Sequence, residues 1–140
     1  MKKHEIISVF YQTRSKSGQK STYNPQMKIG KPYKAHYAPG AEVHGKSEHY
    51  VKENTGTRYP TSILRFNREK GLHPTQKPVP LLEYLIKTYT NEGETVLDNC
   101  MGSGSTGIAC LNTNRNFIGI ELDENYFQIA KERIEKAKAK

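Results

Sequence analysis

The 140-residue chain is long enough for one domain, since a chain of this length buries roughly 68% of its unfolded surface. Apolar residues make up 34% of the chain, charged residues make up 26%, and the mean hydropathy is −0.81. Because no apolar run approaches the ~18 residues of a membrane span and the N-terminus lacks a signal-peptide core, the sequence excludes a membrane protein and argues against secretion.

The net charge of +8 is concentrated toward the N-terminus. Residues 1–90 hold 16 Lys and Arg against 6 Asp and Glu, whereas residues 91–140 hold 6 against 8. Six of the nine tyrosines also fall within residues 11–59. A basic, tyrosine-rich segment favours a polyanion-binding surface beside a small-molecule site, although an ordinary solvated basic face gives the same charge pattern.

Only two cysteines are present, Cys100 and Cys110. Two are too few for a disulfide framework or a cysteine-based zinc site. We therefore expect reduced thiols, a cytoplasmic protein and no metal centre.

The first half of the chain carries weak secondary-structure signals. Residues 5–10 (EIISVF) predict a short buried strand of a central sheet. Residues 11–72 have poor periodicity and four prolines, which predicts an irregular basic insertion interrupted by one strand-like run, residues 62–66 (SILRF). We accordingly divide the chain into a strand at 1–10, an insertion at 11–72 and an α/β part at 73–140.

The second half alternates strands and helices. A helix is predicted around residues 81–89, with Pro78 and Pro80 tolerated in its first turn. A strand over 95–98, a glycine-rich turn, a helix over 105–113, a strand over 117–121 and a helix capped by Asp123 follow. This order predicts an α/β fold, specifically half of a doubly wound, Rossmann-like sheet.

The glycine-rich turn, residues 102–107 (GSGSTG), fits the G-x-G-x-x-G pattern between a strand and a helix. Glycines allow the backbone to turn tightly and approach a ligand, and N–H groups at the helix start face that ligand. The hexapeptide alone is weak evidence, because some matches are only tight turns. Its position after a strand favours a nucleotide-type ligand.

Two carboxylates frame this turn in the predicted sheet. Asp98 ends the first strand and Glu121 ends the second, so both lie at the rim of the ligand crevice, unless they only cap neighbouring turns. Glu121 is well placed for ribose hydroxyls. Asp98 suits the cationic amino acid end of S-adenosylmethionine and would repel a pyrophosphate such as that of NAD, so the sequence favours S-adenosylmethionine.

Three segments in fixed order carry a resemblance to a known family. Residues 73–78 (HPTQKP), 96–107 (VLDNCMGSGSTG) and 119–126 (GIELDENY) resemble the C-terminal part of β-group DNA amino-methyltransferases. Those enzymes transfer a methyl group from S-adenosylmethionine to the exocyclic amine of adenine (N6) or cytosine (N4). The three segments resemble those of adenine-modifying members more closely than those of cytosine-modifying members.

The resemblance implies a cofactor pocket and a DNA-binding region. The pocket residues that it implies are His73, Pro74, Thr75, Gln76, Lys77, Asp98, Met101, Gly102, Ser103, Gly104 and Glu121. Lys77 is also consistent with a solvated lysine at a helix start. Residues 11–72 occupy the place of the family's target-recognition region, where Arg58 and Tyr59 are the best candidates for contacts with double-stranded DNA. The resemblance also implies a role in restriction–modification, and genes of this kind are often carried by phage or mobile elements.

The sequence departs from the family pattern at two places. Asn99 and Cys100 replace the usual proline and aromatic residue after the motif I aspartate, which removes a stacking contact. The catalytic Asp-Pro-Pro-Tyr motif has no counterpart, because no two of the seven prolines are adjacent. In the family that motif positions the amine of a base swung out of the duplex. We therefore assign no catalytic residue and expect a truncated or split enzyme, whose partner is a second chain that carries the motif or, alternatively, a second copy of this chain.

Two other functions compete with this interpretation. A nicotinamide dehydrogenase shares the glycine pattern, but too few residues follow Glu121 for its remaining strands, and HPTQKP has no role in it. A non-catalytic DNA-binding remnant with a vestigial cofactor pocket is the stronger alternative. The target sequence is not readable, because no code links the side chains of residues 11–72 to bases.

Overall fold

The structure is a computed structural model that describes residues 5–11, 21–37, 50–67 and 73–139. The chain divides into two compact units. One spans Pro25–Arg65 and is called here the hairpin unit; the other joins Met1–Asn24 to Phe66–Lys140 and is called the α/β unit.

The hairpin unit contains two antiparallel strand pairs. Its strands are β1 (Lys28–Ile29), β2 (Tyr33–Tyr37), β3 (Tyr50–Asn54) and β4 (Thr57–Arg58). Strand β1 pairs with β4, and β2 pairs with β3 in a five-residue register from Tyr33 opposite Asn54. Gly56 joins β3 to β4 at a φ of 106°, where a side chain would collide with the carbonyl oxygen of Gly30.

The α/β unit begins with helix α1 (Val79–Tyr89) and strand β5 (Thr95–Asp98). Pro80 lies in the first turn of α1, where its missing N–H would have had no helical partner. The helix ends at Tyr89, and Thr90 caps it: its hydroxyl and backbone N–H both donate to the carbonyl of Ile86. Gly93 then turns the chain into β5 at a φ of 80°.

Helix α2 (Ser105–Asn112), strand β6 (Asn116–Gly119) and helix α3 (Glu124–Lys138) complete this unit. Strand β6 pairs in parallel with β5, as a strand–helix–strand crossover requires. Asp123 caps α3 by accepting the backbone N–H of Tyr126 at 3.0 Å. The two strands end side by side, so the turn after β5 and the acid after β6 lie at one edge of the sheet.

The core of the α/β unit lies on one face of the strand pair. Ile86 of α1 and the fully buried Ala109 and Cys110 of α2 form it, with Val96 and Phe117 of the strands packed against them. The opposite face of the same strands is open in the described ranges. There Leu97 and Ile118 are 62% and 53% exposed, and Ile120, just past the end of β6, is 54% exposed, although parallel sheets are normally covered on both faces.

The predicted order of elements from residue 79 onward is confirmed, and with it the partial Rossmann-like α/β fold. Three expectations in the first half differ from the structure. Residues 5–10 form no strand and are exposed, with Ile6 85% and Phe10 91% accessible. Residues 62–66 also form no strand, whereas the insertion contains the four strands of the hairpin unit. A segment rich in strand-forming side chains becomes a β-strand only where a second backbone segment pairs with it, and residues 5–10 and 62–66 pair with none among the described residues.

Within the described ranges, no helix combines the length and the apolar character that crossing a membrane would need.

Candidate functional site

The candidate site surrounds the turn between β5 and α2. Gly102 and Gly104 adopt positive φ angles of 51° and 78°, and Gly104 is the N-cap of α2. Residues 101–105 are all buried, with Ser103 only 3% exposed. A side chain at Gly104 would lie 2.9 Å from the Cβ of Ala130 on α3, so glycine lets the helix pack directly on the turn.

Glu121 ties the end of β6 to this turn. Its Oε2 accepts the backbone N–H of Gly102 at 2.8 Å, and its Oε1 accepts those of Leu122 and Asp123 at 3.0 Å each. The N–H groups of Asp123 and Gly102 lower the pKa of the Glu121 carboxyl below its ordinary value, so the group is held as a carboxylate. A carboxylate has about four acceptor positions, so capacity remains for a ligand hydroxyl.

Asp98 closes the other side of the turn. Its Oδ1 accepts the backbone N–H of Cys100 at 3.1 Å, and its Oδ2 accepts the hydroxyl of Thr106 at 2.6 Å. The backbone N–H of Ile120 donates to the Asp98 carbonyl at 2.9 Å, which continues the strand pairing past β6. The two predicted acids therefore frame the turn, and each also has a structural role there.

The segment before α1 folds onto the same turn. The ring of His73 lies 3.5 Å from where a side chain of Gly102 would begin, and it meets the ring of Tyr126 edge-on at 4.3 Å between centroids. The hydroxyl of Ser103 donates to Gln76 Oε1 at 3.1 Å. Thr75 and Pro74 lie in the tight turn between them, where the Thr75 N–H donates to His73 Nδ1 at 3.2 Å.

Two predicted pocket residues have other immediate partners. Lys77 forms an ion pair with Glu5, with Nζ 3.0 Å from Oε2, and makes no bond to the turn among the described residues. Met101 is buried, and its backbone N–H donates to the carbonyl of Ile120 at 3.0 Å while its sulfur contacts Gly119.

Three residues of this site carried no role in the sequence prediction. Tyr126 packs on His73, Thr106 donates to Asp98, and Arg133 of α3 donates to the carbonyl of Ser103. Thr106 occupies a variable position of the glycine pattern, and Arg133 has no motif, so only the folded chain reveals them. In addition, Ser105 Oγ is buried without a hydrogen-bond partner among the described residues.

Carboxylate oxygens beside aromatic rings are the kinds of group that line sites for organic ligands. No group of three potential metal ligands occurs among the residues that the structure describes. The fold is of the Rossmann-like class, and the turn, its two framing carboxylates and the adjacent aromatic pair lie at the carboxyl edge of the parallel strands, where proteins of this class bind their ligands.

Comparisons with known proteins identify a family within the Rossmann-like class. The DNA methylase family of N6/N4 methyltransferases matches residues 1–132. The type II methyltransferase M2.DpnII of Streptococcus pneumoniae is 48% identical over 65 residues, which cover 46% of this chain and 24% of that protein. The type II methyltransferase M2.MboI of Moraxella bovis is 34% identical over 112 residues, which cover 72% of this chain and 41% of that protein.

Among solved structures, the PvuII DNA methyltransferase (cytosine-N4-specific) matches with a TM-score of 0.50 at 22% identity, covering 58% of this chain and 36% of that one. This likeness shows the fold alone. Because the family match extends over residues 1–132, the chain belongs to the N6/N4 DNA methylase family. It spans 24% and 41% of the length of the two type II relatives.

Proposed function

We propose that the α/β unit binds S-adenosylmethionine and that the chain serves in the methylation of an exocyclic amine of DNA. The observation that supports this best is the convergence of two segments distant in sequence on the Gly102 turn, which Asp98 anchors locally. Glu121 holds the turn from one side and His73 packs on it, while Asp98 anchors its beginning. Family membership supplies the reaction class.

The charge of the site favours this cofactor over a dinucleotide. The discriminating group is the carboxylate of Asp98 beside the glycine turn, because an acid in the position of Glu121 also serves the ribose of a dinucleotide. A sulfonium with an ammonium group gains from nearby negative charge, whereas a pyrophosphate is repelled. When bound, the cofactor supplies an electrophilic methyl group. The role of the chain is to hold it in place through the turn, Asp98 and Glu121.

Titration of the full chain with S-adenosylmethionine by calorimetry tests the proposal. We expect Glu121→Ala to weaken binding about tenfold or more, because a hydrogen bond to a charged acceptor contributes about 1.5–3 kcal/mol. Glu132→Ala, which removes an exposed carboxylate of α3, should leave the affinity unchanged. Thermal melts establish that both variants are folded, and NAD serves as the competing ligand. Binding of NAD, or equal affinity of both variants for S-adenosylmethionine, would overturn the assignment.

For the base we propose adenine N6 rather than cytosine N4, on the resemblance of the motifs alone. Methylation of DNA with labelled cofactor, followed by separation of the nucleosides, distinguishes N6-methyladenine from N4-methylcytosine. We further propose that the reaction belongs to restriction–modification, in the cytoplasm and in a phage or other mobile element. The type II names of the relatives support the first point, and the last rests on the sequence resemblance.

We propose that a second polypeptide supplies the amine-positioning motif. The sequence contains no pair of adjacent prolines, so it lacks the Asp-Pro-Pro-Tyr motif. The open apolar face at Leu97, Ile118 and Ile120 supports this proposal, since a further part of the sheet or a helix would cover it. A homodimer would cover the same face without supplying the motif.

The lack of that motif also favours a second candidate function, a DNA-binding remnant without catalysis. The carboxylates of Asp98 and Glu121 already accept hydrogen bonds from the protein, which a vestigial pocket would retain for stability. DNA binding without measurable S-adenosylmethionine binding in the calorimetric titration would select this candidate.

A further inference from the structure

The hairpin unit contains a hollow of about 350 Å³, which is the scale of sites for small organic groups. Its lining includes two aromatic rings and two cations, and no carboxylate lines it among the residues that the structure describes. The lining residues are Met27, Tyr33, Ala35, Lys52, Asn54, Thr57, Arg58 and Tyr59.

The register of β2 and β3 explains this composition. Tyr33 lies opposite Asn54, and Ala35 lies opposite Lys52, so all four residues share one face of the strand pair. The next pair, Lys34 and Glu53, points to the other face and forms an ion pair at 2.6 Å. The positive charge of Lys52 on the hollow face therefore has no lining carboxylate beside it, whereas the charge of Lys34 on the opposite face is neutralised by Glu53.

Arg58 is fixed in the wall of this hollow. Its Nη2 donates to the carbonyl of Lys31 at 2.8 Å, and its guanidinium centre lies 4.9 Å from the centroid of the Tyr33 ring. Gly30 makes room for it, because a Cβ there would lie 2.8 Å from Arg58 Nη1. The remaining N–H donors of Arg58 are thus pre-positioned, at little further cost in side-chain entropy.

Lys52 differs from Arg58 in having no such partner. Its side chain forms no hydrogen bond or ion pair with the described residues, and the residue is exposed. The rings of Tyr33 and Tyr59 beside it are 49% and 70% exposed. An exposed ammonium group, a fixed guanidinium and two accessible aromatic rings suit a phosphate with its attached sugar.

We propose that this hollow seats one phosphate of the DNA backbone, with Lys52 and Arg58 on the phosphate and the rings of Tyr33 and Tyr59 against the neighbouring deoxyribose. The inference rests on the proposed function, because DNA is the substrate there. The inference gives Lys52 and Tyr33 a role in DNA binding, which the sequence did not predict. It also places Arg58 and Tyr59 against the DNA backbone rather than against base edges.

The test compares two variants with the same charge change, Lys52→Gln on the hollow face and Lys34→Gln on the opposite face. The full-length variants are titrated with two unrelated DNA duplexes over a range of salt concentrations. We expect Lys52→Gln to weaken binding several-fold at low salt, equally for both duplexes, and to reduce the slope of log K against log salt by about 0.9. Lys34→Gln should retain the slope of the parent chain.

Equal slopes for Lys52→Gln and the parent, or equal loss in both variants, would overturn the inference. A loss confined to one of the duplexes would also overturn it, because that indicates a base contact. These outcomes leave the proposed function intact as long as the parent chain binds S-adenosylmethionine and DNA. If the parent chain binds no DNA, both the inference and the proposed function fail.

Discussion

Gly93 and Gly104 have almost the same backbone conformation in different surroundings. Their φ angles are 80° and 78°, yet a side chain at Gly93 would meet nothing within 4 Å, whereas one at Gly104 would lie 2.9 Å from the Cβ of Ala130. A substitution at Gly93 therefore measures the cost of backbone strain alone, whereas one at Gly104 measures backbone strain together with crowding against α3.

We expect Gly93→Ala to lower the free energy of unfolding by about 1–2 kcal/mol, which is the cost of a left-handed backbone for a residue with a Cβ. Gly104→Ala should cost a further 1–3 kcal/mol or so, because α3 must also shift. Urea unfolding of the two variants measures both terms. Equal losses would show that α3 does not pack on the turn as the structure has it.

For individual residues, the sequence predicts the glycines and the framing acids of the site but not the groups that bond to them. Chemistry and position along the chain identified Asp98 and Glu121. That Thr106 and Leu122 would bond to them depends on the conformation of the turn, which a pattern does not specify. The cofactor contacts of all the predicted pocket residues stay a prediction.

At the scale of elements, Glu121 makes the junction between β6 and the glycine turn sensitive to pH. The backbone N–H groups of Asp123 and Gly102 lower the pKa of its carboxyl from the ordinary value of 4.5. The unfolded chain therefore takes up the proton more readily than the folded one, so the stabilisation is present near neutral pH and is lost as the pH falls through the folded pKa.

Urea unfolding of the parent chain and Glu121→Gln at a series of pH values tests this junction. The parent should be more stable at pH 7, and its advantage should shrink as the pH falls below about 4. Glu132→Gln, at an exposed position of α3, should follow the parent throughout. A difference between parent and Glu121→Gln that does not change with pH would contradict the argument.

The helices could be predicted from the periodicity of their apolar residues, whereas the strands of the hairpin unit could not, because they depend on pairing between segments distant in sequence. Helices α1, α2 and α3 carry apolar faces or clear end signals, so they could be placed from sequence. Strands β2 and β3 pair across residues 38–49, and no local signal connects two segments so far apart. Residues 5–10 have strand-forming side chains but find no strand partner within the described ranges.

For the molecule as a whole, the most prominent feature is the apolar face of β5 and β6 that no described part of the chain covers. The proposed partner polypeptide should bind there, which makes Ile118 a test position. Ile118→Lys, at 53% exposure, should change the free energy of unfolding little, within about 0.5 kcal/mol, yet remove partner binding. Ile63→Lys makes the same substitution at a 72% exposed site of the hairpin unit and should have no effect on the partner.

The measurement is methyl incorporation into DNA when the chain is mixed with a polypeptide carrying the Asp-Pro-Pro-Tyr half of a DNA amino-methyltransferase. Activity should require both chains and should be lost with Ile118→Lys but kept with Ile63→Lys. Equal incorporation with and without the added polypeptide would contradict the need for a partner. Sedimentation of the chain alone shows whether a homodimer occupies the face instead.

The two cysteines give such experiments a reporter position that needs no mutagenesis. Cys110 is fully buried in the core, and burial raises the pKa of its thiol to about 11, so it stays protonated and shielded. Cys100 is exposed, two residues after Asp98 and two before Gly102. A maleimide fluorophore attached to the native chain therefore marks a single place at the mouth of the turn, where its emission can follow the arrival of a small molecule directly.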